Sequence, residues 1–308
     1  MNKESLDDLV KIVSEEIHRT LQNSGAAGSS FLSSCPWCAQ ECRGRCAKEV
    51  DHLIAMGASR ISALAPDASI SNSIASLIDH TLLRPDALYE EIRKVCEEAK
   101  QFGFASVCIN PALVPLASRF LAGSPVRVCA VVGFPLGATL PEVKAFEAEA
   151  NILNGAQEID MVMNIGALKS KDFVAVERDI GLVAEVSHSR QALCKVIIET
   201  AYLSDEEKIS ACSLAKAKGA DFVKTSTGFG PGGATAKDVA LMRSVVGEDT
   251  GVKASGGIRD WKTFQEMVSS GASRIGASVS VKIVQEAKSQ DAQFTTRVSG
   301  RDSRAGNY

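Results

Sequence analysis

The sequence predicts an α/β protein whose main body is a (β/α)8 barrel of the TIM type, preceded by a helical and cysteine-rich extension. From residue 74 onward, eight short apolar segments alternate with charged segments of helix length. These segments are apolar on both faces, which indicates the buried strands of a parallel sheet. A doubly wound open sheet is the alternative, but it usually has fewer strands and a glycine-rich phosphate motif after the first strand, which this chain lacks there.

The predicted elements follow this alternation along the chain. The strands are expected at 74–79, 106–109, 127–132, 158–163, 195–198, 222–225, 251–254 and 274–275. Helices are expected at 86–101, 140–154, 171–187, 204–218, 235–246, 260–270 and 279–288. Aromatic residues make up only 5% of the chain and glycines number 24, so we expect an aliphatic core and tight turns.

Composition divides the chain into five segments. They are an amphipathic helix at 1–22, a flexible linker at 23–34, a cysteine-rich segment with a short helix at 35–72, the barrel at 73–289 and a mobile polar tail at 290–308.

The first segment carries an apolar stripe at three- and four-residue spacing, formed by Leu6, Leu9, Val10, Val13, Ile17 and Leu21. Behind a flexible linker, such a stripe needs a partner. In one interpretation the helix folds back on the body or pairs with its own copy in an oligomer, for which we expect a dimer. In the other it is a docking tag, because the helix-plus-linker layout resembles the encapsulation peptides that direct enzymes into bacterial microcompartments.

Four thiols lie within twelve residues, at Cys35, Cys38, Cys42 and Cys46. This density is typical of a metal site, but the spacing matches neither the paired knuckles of a zinc ribbon nor a standard iron–sulfur run. A zinc or iron–sulfur site and free or redox-exchanging thiols are both consistent with it. Nothing in this segment suggests a catalytic role.

Charge and hydropathy exclude several classes of protein. The net charge of −3 and the pI of about 5.9 argue against a nucleic-acid partner, which would need a basic surface. No apolar run is long enough to span a membrane. The first residues are acidic where a secretion signal would be apolar, so we expect a cytoplasmic protein whose cysteines are mostly reduced.

Polar residues interrupt the apolar strands near their carboxyl ends, where a barrel of this type carries its catalytic groups. They are Asp79 and Thr81 after the first strand, Asn110 after the second, Asp160 in the fourth, Glu199 after the fifth, Lys224 in the sixth and Lys253 in the seventh. Two lysines on neighbouring strands are hard to explain structurally, because like charges repel. A second ammonium about 5 Å away opposes protonation of the first by on the order of 3 kcal/mol. One lysine can therefore act as an amine nucleophile while the other stays charged.

Glycine-rich turns follow the last three strands. Thr227 and Gly228 follow strand six, Ser255, Gly256 and Gly257 follow strand seven, and Gly276 and Ser278 mark strand eight. Small residues let backbone N–H groups approach a phosphate, and the next helix adds a favourable dipole. Beside two lysines, these turns predict a phosphorylated carbonyl substrate.

Five motifs in this order resemble the deoxyribose-phosphate aldolase family of class I aldolases. They are Ile78-Asp79-His80-Thr81-Leu82-Leu83, Val132-Gly133-Phe134-Pro135-Leu136-Gly137, Glu158-Ile159-Asp160, Val223-Lys224-Thr225-Ser226-Thr227-Gly228 and Lys253-Ala254-Ser255-Gly256-Gly257-Ile258-Arg259. The resemblance implies that Lys224 forms the Schiff base, that Asp160 and Lys253 transfer protons, and that catalysis needs no cofactor. The implied reaction is the reversible cleavage of 2-deoxy-D-ribose 5-phosphate to acetaldehyde and D-glyceraldehyde 3-phosphate. Asp79 and Thr81 match positions that line the substrate pocket.

The chain departs from the family after strand eight, where Ala277-Ser278-Val279-Ser280 replaces a hydroxyl pair and a glycine. One phosphate contact is therefore expected to be lost or replaced. This departure motivates one alternative, a Schiff-base aldolase for another phosphorylated sugar. A separate alternative is a cargo or adaptor protein of a microcompartment shell built on a barrel, and the intact set of Asp160, Lys224 and Lys253 argues against it. Tyr308 ends the tail as either a disordered terminus or, as in some similar aldolases, a side chain that reaches the site.

Overall fold

The computed structural model describes residues 74–299 and the single residue Glu15, with side chains described up to residue 289. Eight parallel strands close into a barrel in which each strand pairs with its neighbours in the sequence, and the last strand pairs with the first. The strands are β1 Ile78–Leu82, β2 Ser106–Ile109, β3 Arg127–Val132, β4 Glu158–Val162, β5 Leu193–Ile197, β6 Phe222–Lys224, β7 Gly251–Ser255 and β8 Arg274–Ala277. The predicted barrel is confirmed.

Helices connect consecutive strands and form the outer layer. They are α1 Tyr89–Phe102, α2 Val114–Leu121, α3 Pro141–Leu153, α4 Ile165–Lys169, α5 Phe173–Ser189, α6 Asp205–Ala217, α7 Ala236–Val246, α8 Trp261–Ser269 and α9 Ser280–Ser299. A capping box begins α6: Ser204 accepts from the Glu207 N–H, and the Glu207 carboxylate accepts from the Ser204 N–H.

One strand and two helices differ clearly from the sequence prediction. Strand β1 begins at Ile78, because Ile74 and Ala75 belong to a helical turn before it. Helix α2 was not predicted, since it has only 8 residues and a proline in its first turn. Helix α9 runs to Ser299, past the predicted end of the barrel at residue 289. The predicted segments at 1–22, 23–34 and 35–72 lie outside the described residues, with the single exception of Glu15. The four clustered cysteines are therefore not described. Of the predicted tail, the backbone is described up to residue 299, and Tyr308 lies beyond it.

Strand register determines which side chains meet inside the barrel. Lys224 on β6 is the register partner of Lys253 on β7, and Lys253 is in turn the partner of Arg274 on β8. On the other side, Asp160 on β4 is the partner of Lys195 on β5. The surrounding core is aliphatic, as expected. Closure of the barrel therefore brings charged groups from distant parts of the chain into one buried layer.

Candidate active site

Charged side chains from six strands meet inside the barrel, in a region that an ordinary core would fill with aliphatic groups. Burying a charge is costly unless partners of opposite sign compensate for it. Here cations and carboxylates alternate and contact one another. The cluster consists of Asp79, Glu158, Asp160, Lys195, Lys224, Lys253 and Arg274.

Asp160 lies at the centre of this cluster. Its Oδ2 accepts from Lys224 Nζ at 2.8 Å and from Lys253 Nζ at 2.7 Å. Its Oδ1 accepts from Lys195 Nζ at 2.8 Å and from the Cys129 thiol at 3.1 Å. One carboxylate therefore holds three ammonium groups, including the two lysines predicted to perform the chemistry.

A second layer of carboxylates neutralises the cations behind Asp160. Asp79 pairs with Lys253, and Glu158 pairs with Lys195 at 2.6 Å. Arg274 contacts both of these acids, with its Nη1 3.0 Å from Glu158 Oε2. The network extends from Lys224 and Lys253 toward the amino-terminal end of the barrel, where Arg274 begins its strand.

The charge count singles out Lys224. When all seven groups are ionised, the cluster has four cations and three carboxylates, so one positive charge is in excess. Each of the other three cations contacts at least two carboxylates, whereas among the described residues Lys224 contacts Asp160 alone. Lys224 is therefore the cation of the cluster with the fewest carboxylate partners among the described residues.

Asp160 and Lys253 are held in their charged forms. Burial opposes ionisation of Asp160, but the ammonium groups of Lys195, Lys224 and Lys253 outweigh it and hold the pKa of this carboxyl well below its usual value. Burial likewise disfavours the charged form of Lys253, yet Asp160 and Asp79 raise its pKa above the usual range. In the resting site Asp160 is thus an anion that orients both amines, and Lys253 is protonated.

A cavity of about 350 Å³ opens above the cluster at the carboxyl ends of the strands. Lys224, whose side chain is 2% exposed, is the member of the cluster that lines it. Eight of the ten predicted substrate-binding residues also line it: Thr81, Thr227, Gly228, Ser255, Gly256, Gly257, Gly276 and Ser278. The prediction that these turns surround one site is in agreement with this cavity.

The remaining two predicted residues lie beside the cavity. Asp79 is fully buried in the ion-pair network, and Asn110 donates its side-chain amide to the Leu83 carbonyl at 3.0 Å. Leu83 itself lines the cavity. A substrate contact by Asp79 or Asn110 stays a prediction, and the observed contacts give each of them a supporting position.

The glycine turns leave room for a ligand at the backbone. Gly228, Gly256 and Gly257 have φ of +87°, +89° and +80°, which other residues rarely adopt, and a side chain at Gly228 or Gly257 would enter open space. Gly276 packs against Ser255, whose buried hydroxyl has no hydrogen-bond partner in the described part of the chain. This unpartnered hydroxyl supports Ser255 as a donor to a ligand.

The departure after β8 changes one corner of the cavity. Ser278 lines the cavity, but Val279 packs against the hydrophobic core. The Ser280 hydroxyl donates to the Ala277 carbonyl at 2.9 Å and lies 3.0 Å from His80 Nδ1. Ser280 is therefore occupied elsewhere and does not replace the missing hydroxyl at Val279.

Lys195, Arg274 and Arg259 were not predicted as site residues. Arg274 begins its strand and Lys195 begins the strand predicted at 195–198, and a long cationic side chain at a strand start usually reaches solvent. Strand register reveals them, because it places each beside a buried member of the cluster. Arg259 lines the cavity after the β7 glycines, and its cationic charge within that motif was the available signal.

Sulfur and carboxylate ligands also come together in this layer. Cys108, Cys129 and Asp160 lie within metal-ligand reach of one another. However, the Lys195 ammonium lies 3.3 Å from Cys129 Sγ and 2.8 Å from Asp160 Oδ1, and so already provides the cation that this group needs. We therefore interpret the group as part of the ion-pair network.

Within residues 74–299, no helix combines the length and apolar character needed to cross a bilayer.

A closed (β/α)8 barrel with a buried lysine at its open end, where that lysine and a second lysine donate to one carboxylate oxygen, defines an aldolase-type site. Residues 45–303 match the model of the DeoC/LacD family aldolases, and the chain belongs to this family. The match begins before the barrel, inside the cysteine-rich segment. The resemblance seen in the sequence is confirmed.

The relatives agree with this assignment. A deoxyribose-phosphate aldolase of Caldanaerobacter subterraneus subsp. tengcongensis is 58% identical over 228 residues, which is 74% of this chain and 98% of the relative. A protein of the same name from Halalkalibacterium halodurans is 58% identical over 222 residues, covering 72% and 99% of the two chains.

Solved structures show the same fold. A putative deoxyribose-phosphate aldolase from Coccidioides immitis is 42% identical with a TM-score of 0.69, covering 78% of this chain and 97% of the other. The deoxyribose phosphate aldolase of Aeropyrum pernix, described as a unique tetramer, is 35% identical with a TM-score of 0.67, covering 71% and 93%.

Proposed function

We propose that this protein is a class I aldolase that reversibly cleaves 2-deoxy-D-ribose 5-phosphate to acetaldehyde and D-glyceraldehyde 3-phosphate. The observation that carries the proposal is the position of Lys224, at the boundary between the ion-pair cluster and a cavity lined by glycine turns. The names of the relatives supply the substrate.

The neutral Lys224 amine attacks the C1 aldehyde, and loss of water gives a protonated imine. This iminium withdraws electrons from C2, so the C2–C3 bond breaks as the C3 hydroxyl loses its proton. Glyceraldehyde 3-phosphate leaves, and the remaining two-carbon enamine is protonated at C2. Hydrolysis then releases acetaldehyde and restores the amine. Asp160 lies 2.8 Å from Lys224 Nζ, where it stabilises the positive imine.

Lys253 is the proposed proton-transfer partner. Its ammonium shares Asp160 Oδ2 with Lys224, so a proton can pass between the amines through the carboxylate or a water. The glycine turns and Arg259 are the proposed phosphate contacts. No cofactor is needed for these steps, since the lysine itself provides the electron sink.

A coupled assay for glyceraldehyde 3-phosphate tests the proposed activity. We expect turnover of deoxyribose 5-phosphate by the wild type and none by Lys224→Met, which keeps the length of the side chain but lacks the amine. Absence of turnover by the wild type would contradict the proposal. The valine at 279 favours the alternative of another phosphorylated sugar, and the same assay with a panel of aldehyde acceptors separates the two.

We also propose that the protein associates with its own copies through α3. Leu140, Phe146 and Leu153 on this helix are exposed by 66%, 72% and 67%. Val143 and Ala150 lie between these three residues. Counted from Phe146, apolar residues therefore recur at nearly the same intervals toward both ends of the helix, as a two-fold contact requires. Antiparallel pairing would place Phe146 against its own copy and Leu140 against Leu153.

Light scattering tests this contact. We expect a dimer or larger assembly for the wild type and a shift toward monomer for Phe146→Glu. Tyr89→Glu is the matched control, because Tyr89 is 73% exposed on α1. A monomeric wild type, or equal effects of both variants, would contradict the proposal.

We propose that the N-terminal extension directs the enzyme to a microcompartment shell in the cytoplasm. The apolar stripe and linker of residues 1–34 support this. A reporter fused to residues 1–25 should co-purify with shells, and a diffuse reporter would contradict the proposal.

Turnover by a chain beginning at residue 69 would exclude a purely adaptor role. Elemental analysis of anaerobically purified protein tests zinc or iron at Cys35, Cys38, Cys42 and Cys46.

A further inference from the structure

Glu199 follows β5 and adopts a backbone conformation that is unfavourable for residues other than glycine. It has φ of +53° and ψ of 67°, a left-handed conformation that non-glycine residues rarely adopt. Its side chain is buried, with only 1% of the residue exposed. A carboxylate in a strained and buried position needs an explanation, and the mechanism above does not use it.

The contacts of this carboxylate all lead to the loop after β6. Glu199 Oε2 accepts from the Thr227 N–H at 3.0 Å and also from the Thr227 hydroxyl. The Thr227 oxygen in turn accepts from the Phe229 N–H at 3.0 Å. At Gly230, an added Cβ would lie 2.9 Å from the Glu199 carboxylate carbon, so the loop packs directly on this side chain.

These contacts change the role predicted for Thr227. Both of its donors point to Glu199, although Thr227 lines the cavity. The N–H of Gly228, one residue further, has no such partner among the described hydrogen bonds, and an added side chain there would enter open space. Thr227 therefore orients the loop, and Gly228 is left to present its N–H group to an anion.

We infer that Glu199 is a positioning residue that holds the loop of residues 226–230 in the conformation that receives the substrate phosphate. Glu199 thereby sets the preference of the enzyme for phosphorylated over unphosphorylated sugar. This inference rests on the proposed function. The chain that continues from the loop is joined to the β7 turn, since the Ala234 N–H donates to the Gly256 carbonyl at 3.0 Å. Displacement of the loop would therefore disturb two of the proposed phosphate contacts while Lys224 keeps its own partner.

The variants Glu199→Ala and Glu199→Gln separate this role from a general one. The alanine variant releases both Thr227 donors. We expect its KM for deoxyribose 5-phosphate to rise by on the order of tenfold to 100-fold, while kcat/KM for unphosphorylated 2-deoxyribose changes little. The glutamine variant keeps a carbonyl oxygen that accepts both bonds, so it should restore most of the preference. Glu185→Ala, which truncates an exposed acid on α5, is the matched control and should behave as the wild type.

Inhibition by inorganic phosphate gives a second readout. With 2-deoxyribose as substrate, the phosphate inhibition constant should rise in Glu199→Ala and recover in Glu199→Gln. Equal losses on both sugars, or an unchanged preference in a folded alanine variant, would overturn the inference. If alanine prevents folding, Thr227→Val decides, because loss of the hydroxyl that joins Glu199 to the Phe229 N–H should raise the phosphate inhibition constant by a larger factor than it lowers 2-deoxyribose cleavage, and equal factors would overturn the inference. A wild type that does not cleave deoxyribose 5-phosphate would instead overturn the proposed function.

Discussion

Lys224 and Lys253 are register partners on adjacent strands, and both ammonium groups donate to the same oxygen of Asp160, at 2.8 and 2.7 Å. The shared oxygen offsets the repulsion between the two cations and holds both nitrogens against one acceptor. The sequence alone indicated repulsion between the two lysines. The structure adds the acid that holds them together and a third lysine, Lys195, on its other oxygen.

Replacement of Lys253 should remove proton transfer and leave the nucleophile in place. We expect Lys253→Met to lower kcat by about 10²–10⁴-fold, the usual contribution of a positioned acid or base, and still to form an imine at Lys224. Steady-state kinetics with borohydride trapping measures both effects. Lys253→Arg is the control, because arginine keeps the charge but does not release a proton at neutral pH. Full activity of the arginine variant would show that charge alone is required.

Asp160→Asn should cost both stability and activity. The substitution leaves the buried Lys195 and Lys253 without their shared carboxylate, and removal of one partner from a buried pair typically costs about 3–5 kcal/mol. Urea unfolding measures the loss. The exposed pair of Arg178 and Glu142 provides a contrast, since Glu142→Gln should change the free energy of unfolding by less than about 1 kcal/mol. Equal effects of the two variants would contradict the central role of Asp160.

The pKa directions predict how stability depends on pH. The pKa of Asp79 is lowered because Lys253, Lys195 and Arg274 outweigh the opposing effect of burial. Its stabilising contribution is therefore fully present above the unfolded pKa of about 4 and is lost as the pH falls through the lower folded value. Thermal melting from pH 7 into the acid range should show a difference between wild type and Asp79→Asn that is largest at neutral pH and shrinks below about pH 4. A constant difference across this range would contradict the assignment.

Val279→Ser adds a hydroxyl next to Ser278, the residue that lines the cavity where the chain departs from its family. If a phosphate is bound there, one added donor to a charged group is worth about 1.5–3 kcal/mol, so KM for deoxyribose 5-phosphate should fall by roughly tenfold or more. The KM for unphosphorylated 2-deoxyribose is the internal control and should not improve. Val279→Ala separates the new hydroxyl from the loss of packing against the core.

The sequence predicted the barrel because strand and helix periodicities alternate clearly, and it predicted Lys224, Lys253 and Asp160 because polar residues at buried strand ends are conspicuous. Lys195 and Arg274 could not be predicted in this way, since their roles depend on the register between neighbouring strands, which the sequence pattern does not specify. The role of Glu199 depends on contacts with a loop 28 residues away. The start of β1 was misplaced because Ile74 and Ala75 are as apolar as the strand that follows.

Borohydride trapping followed by peptide mass mapping tests the central claim most directly. Treatment of the wild type with deoxyribose 5-phosphate and borohydride should attach a reduced adduct to the peptide that contains Lys224, and Lys224→Met should carry none. An adduct on Lys253 or Lys195, or one that persists in Lys224→Met, would contradict the assignment of Lys224 as the Schiff-base lysine.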